Sequence, residues 1–524
     1  METFDYIVVG GGTAGCVVAS RLGTRRVLLL EAGGSERRLW MKVPIGYGRT
    51  FTDPRVNWMY QGEPDMALNG RRAYVPRGKV LGGSGAINAM VYVRGLPHDY
   101  DDWRALGNPG WGFEQVRPFF EHAEQRLHLS DIARDAHPLT RAYLESCRQL
   151  GFPITDDFNG PHSEGAGIYH FTIRDGVRTS TASHYLRPAL ASRRLQLRLR
   201  LRSHALRVLI EQRRAVGVQY RHRGRTLEAR AARAVILCAG SINTPQLLQL
   251  SGIGPAPLLA RHGIPLLSDS PAVGLNLQDH LAVSYYFRST VPTLNDELYP
   301  WHGKLRAVAR YLTTRRGPLA MSVNQGGGFV RSDPSQPRAN LQLYFNPMSF
   351  TTTTGPHRRL LRPDPFPAFL VSFNACRPTS RGHLEIRSAS PFDPPAIYAN
   401  SLSTEHDLAE VLAGTRLLRR IAATAPLAGC VAGELQPGSE TQSDAARLAD
   451  FRQRSWSVFH PVGTCCMGPD PTRAVVDARL RVHGIEALRI VDASIFPNLT
   501  SGNTNAPTIM VAEKGAAMIA EDER

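Results

Sequence analysis

Gly10-Gly11-Gly12-Thr13-Ala14-Gly15 stands where an apolar run stops and a helical run starts, and that placement constrains the fold more than any other feature of the chain. Residues 4–9, Phe-Asp-Tyr-Ile-Val-Val, read as a short strand; Thr13 to Leu22 reads as a helix. Val27-Leu28-Leu29-Leu30 reads as a second strand ending at Glu31. A G-x-G-x-x-G turn between strand and helix is the context that a dinucleotide-binding loop requires. Gly10 permits the tight turn, Gly12 lets the backbone approach a pyrophosphate, and Gly15 lets the helix pack closely on the strand. The helix start at Thr13 and Ala14 offers unpaired N–H groups and a positive dipole end to phosphates. Glu31, followed by Ala32, is placed to accept hydrogen bonds from ribose hydroxyls and disfavours a 2′-phosphate. A tight turn without ligand is the plainer reading; the flanking strands and Glu31 argue against it.

The length, 524 residues, implies two domains with generous cores. No apolar run approaches the ~20 residues that span a bilayer. The opening Met-Glu-Thr-Phe-Asp-Tyr has no basic region and no signal-like apolar stretch, so the expectation is a cytoplasmic protein. Seven scattered cysteines with no framework spacing predict reduced thiols, and no His/Cys cluster suggests a metal. The net charge of +17 raises nucleic acid or an anionic membrane as partners. Only four of the 62 basic residues are lysines, which points to arginine-biased coding. The densest basic stretch, Arg193 to Arg207, alternates Arg with Leu as a half-buried strand does, so nucleic acid is not expected.

Further segments carry a family resemblance. Gly78-Lys79-Val80-Leu81-Gly82-Gly83-Ser84-Gly85-Ala86-Ile87-Asn88 is a second glycine-rich stretch. Gly240-Ser241-Ile242-Asn243-Thr244-Pro245 leads into Ser251-Gly252-Ile253-Gly254, and His460-Pro461-Val462-Gly463-Thr464 comes later. Val491-Asp492-Ala493-Ser494 and Gly502-Asn503-Thr504-Asn505-Ala506-Pro507 lie near the end. With the N-terminal loop, and in this order, they resemble the glucose–methanol–choline (GMC) oxidoreductases across essentially the whole chain, in the choline-dehydrogenase-like and alcohol-dehydrogenase-like branch. The resemblance implies a mixed α/β and α+β bilobal fold. A Rossmann-like FAD-binding domain is expected from residues 1–155, 196–280 and 455–524. A substrate domain on an antiparallel sheet with helices is expected from 156–195 and 281–454. Strand-like runs at 328–330, 341–345, 368–373 and 383–386, separated by Pro, Gly and Asn, agree with that sheet.

The resemblance also implies FAD-dependent oxidation of a small alcohol, by proton abstraction and hydride transfer to the flavin. By motif position His460 is the candidate base, since a neutral imidazole accepts a proton near pH 7. Asn503 falls where relatives carry a second His or an Asn. An amide holds an oxygen but takes no proton; Asn505 could share the role. Gly82, Gly83 and Asn88 should run beside the flavin and its diphosphate, with Ala89, Val91, Leu206 and Thr504 alongside and Asp492 and Ala493 near the ribityl chain. Relatives that attach FAD covalently use a histidine where this chain has Ile87, so FAD is expected to be non-covalent.

Relatives commonly carry a longer segment where this chain has only Gln125 to Pro138, and the strand through Ala205-Leu206-Arg207-Val208 is short where adenine would be contacted. Trp58 and Tyr60 suggest an aromatic cage for a cationic substrate but occur equally in relatives that use uncharged alcohols, and the reading leans to an uncharged primary alcohol. Choline oxidation is one alternative, a non-redox lyase on the same scaffold another, and a light-driven decarboxylase fits the His and Asn pair less well. Oxygen or a quinone is the expected electron acceptor, the latter compatible with peripheral membrane contact. Cys465 and Cys466 read as buried filler.

Overall fold

The computed structural model describes residues 2–192, 195–350 and 362–523. Two sheets organise the chain. The first has seven strands, with the order Leu197–Arg200, Val27–Leu30, Glu2–Val9, Arg225–Leu237, Arg214–His222, Ser203–Glu211 and Leu488–Ile490 paired beside the end of Arg225–Leu237. Its centre is parallel, and the last three strands of the order form an antiparallel meander. All four residues of Val27–Leu30 are buried, as expected of a parallel strand covered on both faces. Helices Thr13–Arg21 and Asn505–Glu521 pack side by side in this core. Of the Arg/Leu stretch, Leu197–Arg200 is the described strand, and Arg198 and Arg200 both pair with Glu2; Arg193 and Arg194 lie outside the described residues.

The second sheet is antiparallel, in the order Val431–Gln436, Leu281–Ser289, Ala368–Ala375, Leu341–Asn346, Gly326–Val330, Gly165–Ile168, and Trp456–Ser457 adds to Leu281–Ser289. The period of two divides its residues by chemistry. Leu341, Leu343 and Phe345 join Val283, Tyr285 and Phe287 in a core under helices Glu405–Ala422 and Pro138–Gln149. Their alternates Tyr344, Asn346, Ala282 and Ser284 face a cavity between the sheets. Two expectations change in detail. His383–Glu385 forms a separate two-stranded ladder with Ala396–Tyr398. Helix Pro138–Gln149, counted by sequence with the N-terminal segment, puts Leu139, Tyr143 and Cys147 into the core of the second sheet. Among the described residues no helix is long and apolar enough to cross a membrane.

Candidate active site and cofactor cleft

The strands Glu2–Val9, Val27–Leu30, Arg225–Leu237 and Leu488–Ile490 end along one edge, and Gly10, Glu31, Cys238 and Asp492 just beyond them line a cavity of about 340 Å³. Ligands in open α/β sheets bind at this carboxyl edge. Ala32, Ser203 and His204 line the cavity beside Glu31, and His460, Asn503 and Phe350 line it on the second-sheet side.

The two glycine loops cross here. Gly10 has φ +100°, and a Cβ there would meet the Cys238 carbonyl at 2.5 Å. At Gly15 a Cβ would lie 1.8 Å from the Gly10 carbonyl oxygen, so only glycine lets the helix reach the strand. At Gly12 it would project into the cleft, 3.8 Å from its nearest neighbour, Gly83 Cα. The Gly82 N–H donates to the Gly11 carbonyl at 2.7 Å, joining the loops. Thr13, Ala14, Gly83, Asn88, Ala89, Val91, Asp492, Ala493 and Thr504 all line the cavity. Gly15 and Gly82 shape the loops from behind. Leu206 is not in the wall: the register skips it between Ala205 and Arg207, and Ala205 lines the cleft in its place.

These residues fit a dinucleotide cofactor. The open face at Gly12 leaves room for a diphosphate, and the N-terminal ends of Thr13–Arg21 and Asn505–Glu521 bring positive dipole ends to the same place, joined by Thr13 Oγ1 donating to Asn505 Oδ1 at 3.0 Å. Glu31 is buried and accepts N–H bonds from Gly33 at 2.6 Å and Gly11 at 2.8 Å; burial nevertheless pushes its carboxyl up to about 7. Asn88 Oδ1 accepts from the Met90 N–H and from Arg178, which leaves its NH2 group to face the cleft. The Asp492 carboxylate is taken by Gly240 N–H, Thr244 Oγ1 and the N–H and hydroxyl of Ser494, so it ties chain segments together at the cavity edge.

On the second-sheet side, the chain turns through Phe459 at φ +71° and presents the buried His460 ring. Its backbone N–H donates to Asp279 Oδ1 at 2.7 Å. Burial pushes Asp279 up to about 6 against the pull of nearby Arg77, whose own guanidinium burial lowers to about 10. The ring nitrogens are ordered by logic. The Cys376 carbonyl can only accept, so His280 Nε2, 3.0 Å away, carries a hydrogen. Burial pushes His280 down to about 4; it is neutral at pH 7, and its Nδ1 is a lone pair. His460 Nδ1, 3.0 Å from that lone pair, must therefore be the donor. Burial first, then repulsion from His280 and Arg77, hold His460 well below the usual imidazole range, so it too is neutral. Its Nε2 is left as a lone pair toward the cavity, accepting from Asn503 Nδ2 at 3.0 Å. The Asn503 orientation is fixed from behind: Gln342 Nε2 donates to Asn503 Oδ1 at 3.4 Å, and Tyr344 OH donates to Gln342 Oε1 at 2.7 Å. Asn505 bonds Thr13, so of the two amides only Asn503 meets His460.

Sequence reasoning missed His280, Asp279 and Gln342. Asp279-His280 just before an apolar strand was the available signal for the first two; Gln342 carried none. Trp58 and Tyr60 are stacked, with Lys79 over Trp58 at 4.3 Å and His204 against its edge; Trp58 and His204 line the cleft, His204 on the Glu31 side. No residue of 125–138 lines the cavity. All seven cysteines are free, and Cys465 sits in the first core, as filler would.

The profile of the GMC oxidoreductases matches residues 4–282, and that of the family's C-terminal part matches residues 378–512. Mitochondrial choline dehydrogenase of Mus musculus is 42% identical over 544 residues, 99% of this chain and 89% of the relative. Alcohol dehydrogenase (acceptor) of Pseudomonas putida is 38% identical over 538 residues, 98% of this chain and 95% of the relative. Among solved structures, pyridoxine 4-oxidase from Mesorbium loti superposes with a TM-score of 0.88 at 28% identity, covering 99% of each chain. Loops, strand edges and full-length relatives agree: the chain belongs to the GMC oxidoreductase family, FAD-dependent enzymes that act on CH–OH donors.

Proposed function

We propose that the chain oxidises an uncharged primary alcohol to its aldehyde, with His460 Nε2 taking the hydroxyl proton and Asn503 Nδ2 holding the oxygen. The observation that carries the reading is the Cys376–His280–His460 order of hydrogen bonds, which keeps the Nε2 lone pair on the cavity side. Bound FAD supplies the hydride acceptor. Ile87 has no nucleophile, so the cofactor is held without a covalent bond. Glu31 and the glycine loops bind its nucleotide half and Asn88 its flavin side.

The uncharged substrate rests on the lining. Among the described residues its only carboxylates are Glu31, on the nucleotide side, and Asp492, whose oxygens are already bonded. Tyr47, Phe51, Tyr344 and Phe350 give the wall near His460 aromatic faces without a counter-charge. Those rings, and relatives named choline dehydrogenase, favour choline as the second reading. The acceptor is oxygen or a quinone, since the relatives include both an alcohol dehydrogenase (acceptor) and an oxidase, and a cytoplasmic setting fits seven free thiols.

The test mixes the yellow holoenzyme anaerobically with a panel of primary alcohols that includes choline and follows bleaching of the flavin. Fast bleaching by neutral alcohols and slow bleaching by choline is expected, and slow return of colour in air identifies a dehydrogenase. His460→Ala should keep its flavin and bleach about 10²–10⁴ times more slowly; a normal rate in that variant would remove His460 as the base.

A further inference from the structure

Helix Trp301–Thr314 has two apolar faces. Gly303, Ala307 and Tyr311 point inward and are buried. Trp301, Leu305, Val308 and Leu312, at i, i+4, i+7 and i+11, lie within about 60° of one another on a second face. They are 73%, 60%, 43% and 65% exposed. Inside a folded chain such a stripe would be covered, yet among the described residues nothing covers it. A second apolar segment adjoins it. Leu39 and Trp40 are 66% and 39% exposed, and Val43 just after them packs against Tyr311 of the same helix.

Charge identifies the occupant. Residues 37–50 hold four lysines and arginines, residues 301–316 hold five, and neither stretch contains Asp or Glu. Arg310 approaches Asp135 at 3.9 Å and Arg49 lies over the Trp40 ring at 4.1 Å, while His302, Lys304 and Arg306 are exposed around the stripe. A second copy of the chain docked here would oppose cation to cation. An anionic lipid surface offers the complementary charge, together with acyl chains for Trp and Leu, which is how an interfacial amphipathic helix is held.

We propose that Trp301–Thr314, with the neighbouring Leu39–Lys42 turn, is a docking surface for an anionic bilayer, lying parallel to the membrane with the Trp301–Leu312 stripe among the headgroups and upper acyl chains. The surface is independent of the substrate and of the base assignment, so it stands or falls separately from the proposed reaction.

The test is co-sedimentation of the holoenzyme with vesicles of phosphatidylcholine alone or with one third phosphatidylglycerol. Binding to the anionic vesicles should exceed binding to neutral ones at least tenfold at 0.1 M salt. It should fall by a similar factor at 1 M salt, where the screening length shrinks from about 10 Å to about 3 Å. Leu305→Gln with Leu312→Gln, both exposed and neutral changes, should lower anionic-vesicle binding at least tenfold while flavin content and Tm stay at wild-type values. Trp301→Phe should remove most of the blue shift in tryptophan emission that vesicles produce. Absence of vesicle binding, equal binding by the double Gln variant, or a concentration-dependent dimer that the double Gln variant dissolves would each overturn the proposal.

Discussion

Replacing His280 by Phe tests the ordering of the two imidazoles. The substitution keeps an aromatic ring at a fully buried position but removes the acceptor for His460 Nδ1–H. A buried donor left without a partner costs about 1–3 kcal/mol. His460 can avoid that cost by moving its hydrogen to Nε2 and bonding a reoriented Asn503 amide, which hides the lone pair the reaction needs. At about 1.4 kcal/mol per factor of ten, the reactive tautomer falls roughly 5- to 150-fold. The observed rate constant of flavin reduction in anaerobic stopped flow should fall by that factor with flavin content unchanged. His280→Gln, whose amide oxygen can accept from Nδ1, should recover most of the rate. If His280→Phe reduces its flavin within twofold of wild type, the tautomer argument is wrong, and His280 only fills space.

The other predictions concern pH and the glycine loop. Because the base works unprotonated and burial depresses His460, kcat/KM for the alcohol should be level across pH 6.5–8.5 and decline only in acid, as protonation removes the lone pair; a rise with a midpoint near pH 8 would contradict the neutral assignment. Gly15→Ala drives a methyl into the Gly10 carbonyl and should give colourless or misfolded protein, read as the ratio of flavin to protein absorbance. Gly34→Ala, where a Cβ would meet nothing within 4 Å, should stay yellow.

What the sequence made legible is what is encoded locally. The Gly10–Gly15 turn, its flanking strands and Glu31 span only some 30 residues, and alternation in the 341–346 and 368–375 strands separates side chains in the core from those toward the cavity. His460 and Asn503 were legible through motif position. The rest depends on contacts between distant segments. His280 lies 180 positions from His460, and no spacing rule reveals that one ring selects the proton position of the other. Helix Pro138–Gln149 has an apolar stripe that suits either core; only the packed chain assigns it to the second. At Leu206 a bulge shifts the inward phase by one residue, so Ala205 lines the cavity, and bulges leave little trace in a run of Leu and Arg.

The Thr13–Asn505 bond and the paired helices behind it have a consequence for how the protein is made. The first strand waits for a neighbour more than 220 residues later, and the phosphate end of the cleft is closed only once Asn505 has left the ribosome. During vectorial synthesis the amino-terminal glycine loop is therefore an unfinished half-socket, and its closure waits for Asn505. The cofactor then acts as a late clasp between segments 492 positions apart, and nascent chains should lean on chaperones until it arrives.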